Sequence, residues 1–63
     1  MKWLTININP PKLNVVIVAR SADEFGYGAH HDIFTFDSRT FTECEAAMFL
    51  ENRSFIEWIE IPK

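Results

Sequence analysis

Leu13 to Arg20 (Leu-Asn-Val-Val-Ile-Val-Ala-Arg) carries four β-branched residues in succession, Val15 to Val18. Such side chains lose rotamer freedom in a helix and fit the pleated surface of a sheet, so the run reads as a strand. Apolar residues stand at odd and even positions alike, which makes both faces of that strand apolar. A strand of this kind belongs inside a sheet with a neighbour on each side. The chain around it, 63 residues in all, leaves room for one domain spanning residues 1–63.

The flanking segments supply the neighbours. Trp3 to Ile8 alternates, with Leu4, Ile6 and Ile8 on one side and Trp3, Thr5 and Asn7 on the other, the period of a half-buried strand. Asn9-Pro10-Pro11-Lys12 ends it, because proline has no N–H to give a ladder. Ser21 to His31 shows no period and reads as a loop. Asp32 to Asp37 alternates again and gives a third strand, closed by Ser38-Arg39-Thr40. Thr42-Glu43-Cys44-Glu45 has the spacing of a capping box, so a helix is expected from Glu43 to about Glu51. Phe41, Cys44, Ala47 and Met48 fall on its expected inner face, with Cys44 buried there in the manner of an alanine. Phe55 to Ile61 forms a last strand. The expectation is an α+β domain, a small antiparallel sheet with one helix packed across it, in the order β-β-β-α-β.

Charge and cysteine content narrow the setting. The net charge is −3, and the six Lys and Arg residues are scattered, with Lys2, Lys12 and Arg20 in the first twenty positions. Duplex binding requires a basic cluster that this chain lacks, so nucleic acid is not the expected partner. A single cysteine fits a reducing compartment. No secretory h-region is visible, and the longest apolar run, Val15 to Ala19, is far too short to cross a bilayer. A cytoplasmic protein without membrane contact is expected.

Motifs that would carry catalysis fail on count or facing. His30-His31-Asp32 has metal-ligand residue types, but alternate strand positions allow His30 and Asp32 to share a site without His31. Gly26-Tyr27-Gly28 lacks the lysine and the following helix of a phosphate loop. A triad assembled from Ser21, His31 and Asp37 has no nucleophile elbow behind it. Glu57 and Glu60 lie on opposite faces of their strand. No enzyme activity, cofactor or metal is expected.

Binding residues are a different matter. Phe25 and Tyr27 are aromatics in a polar loop, with His30 at the loop's end, and such loops collect binding residues. These three are the candidate partner-binding residues. Two Trp, six Phe and one Tyr also raise the prospect that the core cannot hide every ring.

Trp3, Pro10-Pro11, the Val-rich strand and the ending Glu57-Trp58-Ile59-Glu60-Ile61-Pro62 together resemble a small domain-of-unknown-function family carried by phages and prophages. The resemblance covers both ends of the chain. That family has no established activity, so the resemblance transfers no residue role. It implies a phage or prophage accessory protein. The expected function is a non-enzymatic protein-binding module that modulates a host protein or assembles as a homo-oligomer such as a homodimer. The alternative is a single-stranded nucleic-acid binder that stacks bases on exposed aromatics of a β surface.

Overall fold

Val16–Ser21 forms β2, and it does lie inside the sheet. In the computed structural model, which describes residues 2–22, 26 and 28–62, β2 is flanked by β3 (His31–Thr35) and β4 (Phe55–Glu60). A two-residue strand, β1 (Leu4–Thr5), pairs with the far side of β4. The order is β1-β4-β2-β3, with every neighbouring pair antiparallel. The helix α1 (Glu43–Glu51) is inserted between β3 and β4.

One irregularity in β4 decides what the core contains. Arg20 pairs with Glu57 but Ser21 pairs with Phe55, which leaves Ile56 as an extra residue in a β-bulge. Without it, Phe55 and Trp58 would point to opposite faces. With it, both turn inward beneath the helix and are almost fully buried. Ile56 is displaced outward, and its carbonyl accepts the Ile6 N–H at 2.9 Å.

The core lies between the helix and one face of the sheet. Ala46, Ala47 and Leu50 of α1 meet Ile6, Ile17, Ala19, Phe36, Phe55 and Trp58. Phe34, Phe41 and Phe49 are half-buried around it and join Phe36 and Phe55 in a chain of edge-on ring contacts, such as Phe36–Phe41 at 5.0 Å and Phe34–Phe55 at 5.4 Å. Such geometry sets the positive ring edge against the negative ring face. The aromatic load of the chain is thus largely spent on the core. Trp58 also finds a partner for its polar edge, donating Nε1–H to the Asn9 carbonyl at 2.7 Å, which ties the Pro10-Pro11 turn to β4.

The capping box forms as expected. The Glu45 N–H donates to Thr42 Oγ1 at 3.1 Å, and the Thr42 N–H donates to Glu45 Oε1 at 3.0 Å. The expected inner face of the helix, however, is rotated. Cys44 and Met48 are exposed, and Ala46, Ala47 and Leu50 are the residues that bury. Leu50 stands four residues beyond Ala46 and three beyond Ala47, and this stripe is what the sheet covers.

The first strand is also shorter than its alternation suggests. A turn in which the Ile8 and Asn9 N–H groups both donate to the Thr5 carbonyl stops it. Ile6 stays in the core, but Ile8 is carried out to 74% exposure. Similarly, β2 begins at Val16 and not at Leu13, because Asn14 adopts a left-handed conformation with φ of 63°. Its amide holds Ser38 from both ends, donating to Oγ and accepting from the N–H, each at 3.0 Å.

Candidate functional site

Among the described residues, the helix covers one face of the sheet and no second element packs across the other. Strand pairing assigns the open face row by row. Ile33, Val18 and Ile59 are direct cross-strand neighbours on β3, β2 and β4. One step along β2, Val16 stands beside Thr35, and the Ile61 N–H donates to the Val16 carbonyl. In the opposite direction Arg20 stands between His31 and Glu57. The face is therefore apolar in the first row, apolar but for Thr35 in the second, and charged in the third.

The exposure of those apolar residues is unequal. Ile33 is 63% exposed, while Val16 and Ile61 are somewhat less open and Val18 and Ile59 are half-buried between neighbours. Isolated surface apolars are ordinary. Five β-branched residues contiguous across three strands make a patch.

Its charged end is closed upon itself. Arg20 Nε donates to Glu57 Oε1 at 2.8 Å, and both side chains are about two-thirds covered. The Arg20 guanidinium also lies over the Trp3 indole, 4.1 Å from the ring centroid, while the His31 ring meets the same indole edge-on at 5.9 Å. Trp3, coming from the β1 side, thus reaches across the sheet to Arg20 and His31 at the polar end of the face. A partly covered cation–π contact of this kind contributes about 0.5–2 kcal/mol.

The outer edge of β3 is protected in a different way. The Ser21 N–H donates to the His30 carbonyl at 2.9 Å, so Asp32 and Phe34 direct their backbone groups toward β2 and Ile33 directs its own outward. The Asp32 carboxylate accepts that outward Ile33 N–H at 2.9 Å. A hydrogen bond that would welcome another strand is already occupied.

Of the three residues singled out by sequence, Phe25 and Tyr27 lie outside the described residues. His30 is exposed, with its ring 6.1 Å from that of Phe55 and its N–H donating to Ser21 Oγ at 2.9 Å. His31 donates Nδ1–H to the Ala29 carbonyl, 3.0 Å away, and its ring is turned toward Trp3. Among the described residues no group of three or more His, Cys, Asp or Glu side chains converges as a metal site requires. No described helix is long and apolar enough to cross a membrane.

Sequence reasoning saw the two-sided apolarity of β2 but did not identify the open face. The signal was there in Val16, Val18, Ile33, Ile59 and Ile61, which share one parity once the strands are paired. Only the pairing and the bulge at Ile56 reveal that, among the described residues, the helix packs on the opposite parity. The chain matches no protein-family model, and comparison with curated proteins and with solved structures finds no match.

Proposed function

We infer that this chain is a non-enzymatic protein-binding module and that its working surface is the open sheet face built from Val16, Val18, Ile33, Ile59 and Ile61. The observation that carries this reading is the contiguity of the patch. A half-sheet of β-branched residues in water is costly, and covering it returns about 25 cal/mol for each Å2 of apolar surface removed. The setting implied by the terminal motifs is that of a phage or prophage accessory protein.

The disposition of rings and charges supports a protein partner over a nucleic acid. Phe36, Phe55 and Trp58 are buried, and Phe34, Phe41 and Phe49 lean on the same core, so these rings offer no platform for bases. Lys12, Arg20 and Arg39 each sit on a carboxylate, of Glu60, Glu57 and Asp37 respectively. Phosphates would have to compete for them.

The test compares the wild-type chain with Ile33→Asp and Val16→Asp in capture from bacterial lysate and in self-association. Engagement that both variants lose supports the reading. A face that engages neither a lysate protein nor a second copy refutes it, as does salt-sensitive retention on single-stranded DNA that the variants preserve.

A further inference from the structure

We propose that the cleft between the end of α1 and the bulge of β4 is a binding site for a primary alkylammonium group with a chain of lysine length. The site shares no residue with the open sheet face and does not rest on the reading of that face.

Two irregularities of the fold create the cleft. The turn onto the Thr5 carbonyl ends β1 early, and the bulge displaces Ile56 outward. Between them and the last turn of the helix lies a half-open cleft of about 150 Å3, lined by Thr5, Ile6, Asn7, Glu51, Phe55 and Ile56. A cavity of about that volume admits a group the size of benzene, and an n-butyl chain is no larger. Ile6, Phe55 and Ile56 give the chain an apolar wall to lie against.

The polar residues of the lining select the head group. Glu51 is an exposed acid at the C-terminal end of α1, where the helix dipole is itself negative and disfavours it. Among the described residues Glu51 forms no ion pair. Arg53, two positions on, is engaged elsewhere: its guanidinium lies 3.6 Å from the Phe49 ring centroid and donates to the Phe49 carbonyl. A carboxylate placed against its helix and left without a counter-charge favours a cation, and the net charge of −3 acts in the same direction. Thr5 adds a hydroxyl oxygen and Asn7 an amide oxygen to the same lining. Three acceptor side chains around one cleft match the three N–H donors of an ammonium, which has no acceptor of its own.

Amide NMR spectra of the chain, titrated with n-butylammonium chloride to about 50 mM at constant ionic strength, test the proposal. Saturable shifts centred on Thr5, Ile6, Asn7, Glu51, Phe55 and Ile56 are expected, with a Kd on the order of 10 mM. Methylammonium keeps the charge but lacks the chain, and should bind at least about fivefold more weakly. n-Butanol keeps the chain but lacks the charge, and should bind at least about threefold more weakly; n-butyrate should not bind. Glu51→Gln should weaken n-butylammonium by about threefold or more. Glu51 is exposed, so this variant stays folded, which far-UV circular dichroism verifies. Nα-acetyl-lysine N-methylamide separates the two sources of such a group. Shifts at the same residues support a lysine of a protein partner, and their absence beside n-butylammonium binding supports a free amine. The proposal is overturned if n-butylammonium produces no saturable shifts there, if methylammonium or n-butanol binds as well, or if Glu51→Gln leaves the Kd unchanged.

Discussion

Replacing Leu50 by alanine should remove much of the stability of this domain. Leu50 has no exposed surface and belongs to the buried cluster that also contains Ile6, Ile17, Phe36, Phe55 and Trp58. Truncating a leucine in such a site costs about 3–5 kcal/mol, the lost transfer energy plus the cavity left behind. A chain of 63 residues has only about 3–9 kcal/mol to lose. Urea unfolding followed by tryptophan fluorescence measures the difference. With an m-value of about 1 kcal/mol/M, the midpoint should fall by roughly 3 M, or the variant should already be unfolded in buffer. Ile33→Ala is the control. Ile33 is 63% exposed on the open face, and its truncation should change stability by no more than about 0.5 kcal/mol. A Leu50→Ala loss below about 1 kcal/mol, or an Ile33→Ala loss exceeding it, would refute the assignment of core and open face.

Thr42→Ala breaks both hydrogen bonds of the capping box and should cost about 1 kcal/mol, a fall of roughly 7 °C in Tm for a domain of this size, whereas Thr42→Asn should retain most of the wild-type value by thermal circular dichroism. The Arg39 side chain, and then its backbone N–H, hold the Asp37 carboxyl below its usual pKa of 3.8. The folded pKa lies below the unfolded one, so this contribution is present above the unfolded value and lost as pH falls through the folded one. Carboxyl 13C titration should show the Asp37 midpoint rising in Arg39→Ala, and an unchanged midpoint would remove Arg39 as the cause.

How much of this was readable from the residues depended on the range of the interactions involved. The helix start was legible because Thr42 and Glu45 act on each other across three positions. The interior placement of β2 was legible because consecutive β-branched residues have few other homes. The rotation of α1 was not, since Cys44 and Met48 are as apolar by type as the Ala46 and Leu50 that displaced them. Sheet contact, and not composition, chose between the two stripes. The early end of β1 depends on the turn closing onto the Thr5 carbonyl, and the open face depends on pairings between residues about 40 positions apart, such as Val18 with Ile59. A bulged residue like Ile56 leaves no mark in hydrophobic periodicity beyond an apparent error of phase. For that reason the candidate surface emerged from the register of the strands, while the aromatic loop drew the attention of sequence reasoning.

The carboxylate of Asp32, folded onto the Ile33 N–H, has a consequence for the behaviour of the chain in concentrated solution. Ile33 to Phe36 is a short stretch of high β-propensity, the type of segment that stacks into fibrils when its backbone is free. Asp32 stands at one end of it and Asp37 at the other, an acid on each flank. At neutral pH these charges repel their counterparts in any in-register stack, and the first of them also occupies a hydrogen-bonding site at which such a stack would begin. A five-residue edge strand can thus stay at the margin of the sheet, its neighbouring face free for a folded partner, without serving as a seed for aggregation.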